Sequence, residues 1–216
     1  MTPHDPNTRL ANIKDHYDVA IVGAGIYGAT AAWEAASRGL SVVLLDRSDF
    51  CSGTSANSLK TIHGGLRALQ RLDIREMREY IRERRVLMRV VPHLVSPMPC
   101  VMPTYRSLTK GKLFIGTGLK VYDLIAIDRN RGLDESHTIS SSSIVTQEYL
   151  ERLAPDLDRT AVTGGACWTD GQAYNSERLT LSFIMSAIGA GADVFNYMEK
   201  TAYMTNRATI SGVTAR

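Results

Sequence analysis

Short runs rich in Val and Ile alternate with alanine- and leucine-rich stretches at the start of the chain. Residues 17–23 read Y-D-V-A-I-V-G, an apolar run closed by glycine, and predict a buried parallel strand. Residues 26–38 are rich in alanine and are followed by Gly39, which predicts a helix with a glycine stop. Residues 41–45 predict a second buried strand. Strand, helix and strand in this order make a right-handed βαβ unit.

The pattern then changes. Residues 49–65 are rich in Ser, Thr, Gly and Asn and read as loop. Residues 66–91 predict one long, arginine-rich helix that stops at Pro92. Residues 95–104 carry three prolines and read as extended or edge structure. A helix is predicted over 111–127, a polar loop over 129–143, and a short helix over 146–154 before Pro155. Residues 164–174 predict a strand with turns, 176–190 a second Ala- and Leu-rich helix, 193–197 a strand, and 209–213 half of a small hairpin. The chain stops at Arg216 within that pattern, which leads to the expectation of a fragment or truncated product.

Composition narrows the field without choosing a chemistry. The 216 residues carry a formal charge of +3, too small to argue for nucleic acid. Cys51, Cys100 and Cys167 form no C-x-x-C pair and no metal-ligand spacing, so reduced thiols in a cytoplasmic protein are expected and no metal site is. The polar tail over 1–16 lacks the apolar core of a secretion signal. No run reaches the ~18 apolar residues of a membrane span, though a peripheral contact with a membrane surface stays open.

Chemistry enters at G-A-G-I-Y-G, with Gly23, Gly25 and Gly28 directly after the first strand. Gly23 allows the tight turn, Gly25 lets a pyrophosphate approach the backbone, and Gly28 permits close helix packing. The helix N-terminus, opening at Ile26, offers free N–H groups to the phosphates. Asp46, at the end of the second strand, suits the ribose hydroxyls, with Arg47 beside it. This predicts dinucleotide binding. The fingerprint alone does not separate FAD from NAD, but the next polar loop does more. Thr54, Ser55, Ser58 and Thr61 supply donors without bulk, Lys60 lies among them as a further cofactor-binding candidate, and Gly64 and Gly65 would let a flat ring system lie against the backbone. The plain alternative is a serine-rich surface loop.

The stretch T-S-A-N-S-L-K-T-I-H-G-G-L-R resembles the flavin loop of FAD-dependent glycerol-3-phosphate dehydrogenases, within the wider family of D-amino-acid and sarcosine oxidases. E-R-R-V-L-M-R-V-V-P-H-L-V-S-P-M, G-L-K-V-Y-D-L-I-A and S-E-R-L-T-L are similar to the same proteins, so the likeness covers residues 17–213. Ala68 departs from the aromatic residue often found after H-G-G-L-R, and D-G-Q-A-Y-N-S-E-R-L departs from an Asp-Ala-Arg-Leu pattern. Both departures bear on the substrate rather than the flavin.

The resemblance implies a doubly wound, Rossmann-type α/β FAD domain with the start of a substrate domain. It divides the chain into an FAD part over 17–91, an insertion or opening of the substrate domain over 92–162, and a return to the FAD domain over 163–216. It implies oxidation of glycerol 3-phosphate to dihydroxyacetone phosphate, with hydride transfer to FAD and electrons passed to a quinone. Another FAD-dependent oxidase acting on an amino acid or amine, and an inactive FAD-binding remnant, are the alternatives. Arg67 matches a family arginine beside the substrate, and its planar pair of donors suits a phosphate or carboxylate. His63 is expected to position groups near the flavin, and His93 to be buried or to cap. Trp168 and Tyr174 are expected in the core. The arginines between Arg71 and Arg89 are expected on a solvated, salt-bridged helix face, with a membrane-surface patch as the alternative. No residue stands out as the catalytic base.

Overall fold

The computed structural model describes residues 13–216 except Gln70 and Arg159; most of the expected polar tail lies outside the described residues. In chain order the elements are β1 (Val19–Val22), α1 (Ile26–Ser37), β2 (Val42–Leu45), β3 (Thr61–Ile62), α2 (Leu66–Leu69), α3 (Ile74–Val90) and β4 (Val95–Tyr105). They continue with α4 (Lys112–Ile125), β5 (Ser143–Val145), α5 (Gln147–Leu153) and β6 (Val162–Ala173). The last are α6 (Ser176–Gly189), β7 (Asp193–Phe195), β8 (Lys200–Asn206) and β9 (Thr209–Ala215). The chain forms two compact units: the part up to Leu59 together with Asn175–Arg216, and Lys60–Tyr174.

The first unit is a parallel sheet in the order β1-β2-β7, the Rossmann-type arrangement. The apolar run of β2 is buried along its whole length, as expected for a strand covered on both faces. Val43, Leu45 and Phe195 cluster with Tyr17, Met198 and Val213, so by alternation Val42 and Leu44 face the other way. Small residues let α1 pack tightly: Ala29, Ala32 and Ala36 are buried, and Trp33 meets Phe183 of α6 at 5.5 Å between ring centres. β1 is less buried than its sequence predicts, with Ala20 and Val22 exposed. It is the outer strand of the described sheet, so only its inward positions are covered.

The second unit centres on β6, which is one continuous strand rather than a strand with turns. β4 pairs antiparallel with it from Val95↔Ala173 to Tyr105↔Val162, while β3 and β5 share its other side. Pro97, Pro99 and Pro103 fit β4 because its second edge is unpaired among the described residues. The predicted long helix is two: Leu72 takes φ 54°, and Asp73 caps α3 by accepting from the Glu76 N–H at 2.9 Å. The compact units divide at residues 60 and 175. Residues 60–91 belong with the segment C-terminal to them because β3 pairs with β6, and Met77 and Ile81 pack with Tyr122 and Ala126 of α4.

The arginine-rich helix corrects a second expectation. Arg78 and Arg85 pair with Asp128 beyond α4 rather than along their own helix. Arg84 is fully buried. His93 and Tyr174 are exposed rather than buried, and Trp168 is half-buried. Cys51, Cys100 and Cys167 are free thiols. No described helix is long and apolar enough to cross a membrane, and no metal-ligating cluster occurs among the described residues.

Candidate functional site

The turn between β1 and α1 is shaped by missing side chains. Gly23 sits at φ +107°, a conformation that side chains disfavour. A Cβ on Gly28 would lie 1.8 Å from the Gly23 carbonyl oxygen and 3.4 Å from Ile21, so only glycine lets α1 start this close to β1. A Cβ on Gly25 would approach Ser55 Oγ to 2.9 Å. Gly25 caps α1 without a side-chain acceptor; the Ile26 N–H donates to Ser55 Oγ at 3.0 Å, and the remaining first-turn N–H groups suit an anion. Asp46 ties the turn to the end of β2. Its Oδ2 accepts from the Ala24 N–H at 2.7 Å and its Oδ1 from the Ser48 N–H at 2.9 Å, and each oxygen keeps a further lone pair. A glycine cradle, a helix N-terminus and an acidic residue at the next strand end together fit a dinucleotide.

The second unit builds a different kind of site, around Asp170 on β6. Its Oδ1 accepts from the Gly64 N–H at 2.8 Å and from Arg84 Nη1 at 3.3 Å. Its Oδ2 lies 3.1 Å from His63 Nδ1 and 3.3 Å from Trp168 Nε1. Arg84 also donates to the Thr169 carbonyl at 2.6 Å and to the Tyr122 hydroxyl at 3.2 Å. Burial pushes the Tyr122 pKa up, so the phenol keeps its proton and donates to the Gly64 carbonyl at 3.0 Å. The chain is closed: both polar backbone groups of Gly64 are held by side chains, Asp170 of β6 on the N–H and Tyr122 of α4 on the C=O, and Arg84 of α3 bridges those two side chains. A Cβ on Gly64 would fall 2.1 Å from Arg84 Nη1 and 2.5 Å from the Tyr122 hydroxyl. The glycine is therefore required by this internal packing, whatever lies on the other side of the turn.

Residues 18–216 match the family described as FAD dependent oxidoreductase. The chain belongs to that family. FAD is the cofactor of that family, and the glycine cradle fits it. Among curated relatives it is 36% identical over 182 residues to a glycerol-3-phosphate dehydrogenase of Synechocystis, covering 84% of this chain and 32% of that protein. It is 34% identical over 209 residues to the mitochondrial glycerol-3-phosphate dehydrogenase of Rattus norvegicus, covering 91% of this chain and 27% of the relative. The chain thus spans about a third or less of the length of these relatives. Among solved structures, the glycerol-3-phosphate dehydrogenase of Bacillus halodurans complexed with FAD superposes with a TM-score of 0.66 at 21% identity, over 97% of this chain and 32% of that one. The L-proline dehydrogenase of P. horikoshii gives 0.64 at 18% identity, over 94% and 50%. At these identities the structural likeness speaks for the fold alone.

The predicted site residues fall into both units. Gly23, Gly25, Ile26, Gly28, Asp46, Arg47, Thr54, Ser55 and Ser58 belong to the first, and Lys60, Thr61, His63, Gly64, Gly65 and Arg67 to the second. Within the first, Ser55 meets the glycine turn, while Arg47, Thr54 and Ser58 are exposed. Within the second, Lys60 takes φ 58°, Gly65 takes φ +84° against Met77 and Tyr80, and Arg67 is exposed on α2. Sequence reading missed Arg84, Tyr122 and Asp170. For Arg84 the signal was present: Met77, Ile81, Arg84 and Met88 are all buried on α3, a spacing of i, i+4, i+7 and i+11 that marks one helix face.

Proposed function

We propose that this oxidoreductase oxidises sn-glycerol 3-phosphate to dihydroxyacetone phosphate and passes the electrons to a quinone. The observation that carries the reading is that His63 and Arg67, which flank Gly64 and Gly65 in the chain, are both exposed. The glycerol-3-phosphate dehydrogenases among the relatives support the same substrate class. The dinucleotide is assigned to Gly23, Gly25, Gly28 and the α1 N-terminus, with Ser55 beside the pyrophosphate and Asp46 on the ribose. Arg47, Thr54, Ser58, Lys60, Thr61, Gly64 and Gly65 complete the cofactor set. When bound, FAD supplies the two-electron acceptor for the hydride of a secondary alcohol. Arg67 binds the substrate phosphate, because its planar guanidinium offers two parallel donors. His63 accepts the hydroxyl proton through Nε2, since Nδ1 is already engaged by Asp170.

The test is steady-state reduction of a quinone analogue by the flavin-loaded protein, with glycerol 3-phosphate and amino acids as competing substrates. Glycerol 3-phosphate is expected to bleach the flavin and amino acids to leave it yellow; the reverse result replaces this reading with an amine oxidase. Arg67→Ala is expected to lower kcat/KM by roughly 30- to 1000-fold, on the order of 2–4 kcal/mol of transition-state stabilisation, at unchanged flavin content. Full kcat/KM in that variant removes Arg67 from the substrate site.

A further inference from the structure

The side chain of Asp170 is 6% exposed, yet one of its oxygens is turned to a histidine whose side chain is 72% exposed. A buried ion pair is weak support for stability, because desolvation offsets most of its attraction. The arrangement spends a buried carboxylate on fixing a surface imidazole, and that asks for a reason beyond folding.

We propose that Asp170, locked by the buried Arg84, is a positioning residue that fixes His63 as the Nδ1–H tautomer with Nε2 bare. This rests on the reading of His63 as proton acceptor and adds the residues that make it one. The partner set dictates the tautomer. Oδ1 is committed to two donors, the Gly64 N–H and Arg84 Nη1. Oδ2 already faces the indole N–H of Trp168, which is a donor only. Both oxygens therefore accept, and the His63 Nδ1 that meets Oδ2 at 3.1 Å carries the proton. Arg84 keeps the carboxylate from rotating, because it is itself held by the Thr169 carbonyl and Tyr122. The other titratable groups around Asp170 do not compete. Cys100 of β4 has its thiol pKa pushed up first by burial and then by the Asp170 charge, and Tyr122 of α4 is pushed up mainly by burial. Both stay protonated.

Asp170→Asn tests the device. The two donors at Oδ1 demand an oxygen there, so the amide nitrogen must take the Oδ2 position and donate to His63 Nδ1. The proton then moves to Nε2, and the imidazole no longer accepts from a substrate. In the flavin-loaded protein this variant is expected to lower kcat/KM about 100-fold or more, the usual worth of a general base, with the flavin spectrum unchanged. Imidazole 15N shifts of His63 are expected to report Nδ1–H in the unmodified protein and Nε2–H in the variant. Added to His63→Gln, Asp170→Asn is expected to cost little more, because both changes remove one function. An Nε2–H tautomer in the unmodified protein overturns the proposal even if the variant does not fold. So does full additivity of the two losses, which marks a structural role. Full activity in His63→Gln alone overturns the proton-acceptor reading instead, and the tautomer measurement still judges Asp170 separately.

Discussion

The glycine turn after β1 and the knot around Gly64 both fix a backbone turn, by opposite means. The first is made within a few residues by leaving side chains out: the Gly28 Cβ position overlaps the Gly23 carbonyl oxygen at 1.8 Å. The second is made by bringing side chains in: Asp170 of β6 and Tyr122 of α4 grip the N–H and C=O of Gly64, and Arg84 of α3 ties the two together. The first surface is backbone and dipole, suited to a ligand recognised by its phosphates. The second orients an exposed imidazole through its Nδ1, suited to chemistry. One fails by crowding and the other by loss of charge balance.

The largest effect expected from this contrast is at Arg84. Arg84→Met leaves Asp170 as a buried carboxylate without its cation, and removing one partner of a buried pair costs about 3–5 kcal/mol. Urea unfolding near neutral pH reads this directly. Arg84→Lys is expected to recover only part of the loss, because an ammonium cannot span Thr169, Asp170 and Tyr122 as the guanidinium does. An unchanged midpoint in Arg84→Met would show that the knot is held by packing alone, and the contrast with the glycine turn would collapse.

Crowding at the glycine turn comes next. Gly28→Ala drives a Cβ into a backbone oxygen that has nowhere to go, for about 1–3 kcal/mol of overpacking and loss of flavin. Gly25→Ala meets only Ser55 Oγ at 2.9 Å, the end of a side chain that can rotate away. Its stability is expected to stay within about 1 kcal/mol of the parent, while flavin content falls if the pyrophosphate approaches this turn as proposed. Flavin absorbance per protein and thermal unfolding separate the two. Normal flavin content in both variants would move the cofactor away from this turn.

The same contrast explains what the sequence makes legible. Gly23, Gly25 and Gly28 are close in sequence and each answers a local steric demand, so strand, turn and helix can be read together with their ligand class. The second unit hides its site because His63, Arg84, Tyr122 and Asp170 meet only through the pairing of β3 and β6 and the packing of α3 on α4. In the sequence Arg84 reads with its neighbours as part of a solvated face, because charge type outweighs its place on the Met77–Ile81–Met88 stripe. Leu72 and Asp73 read as continuous helix, because a residue at positive φ next to a capping aspartate is a local break that apolar periodicity does not register.

The smallest effect expected belongs to an ion-pair group less buried than Arg84, and it serves as the control for Arg84. Asp128 accepts from Arg78 and Arg85, whose side chains are 46% and 17% exposed. The Arg78 hydrogen bonds hold its carboxyl well below the usual carboxylate range; burial opposes them, and Arg85 adds to the lowering. A depressed folded-state pKa stabilises the protein above the ordinary carboxylate value of 3.8, and the contribution is lost as pH falls through the folded value. Asp128→Asn is therefore expected to cost about 1 kcal/mol near neutral pH, since water screens much of the pairing. The gap between parent and variant should narrow steadily as the pH falls below about 4, as protonation removes the charge the variant never had. Added salt should narrow it as well. Unfolding curves of both proteins across that range give the answer. A gap as wide in acid as at neutrality would mean that Asp128 acts through shape rather than charge, and the difference between buried and exposed arginines on α3 would then need another cause.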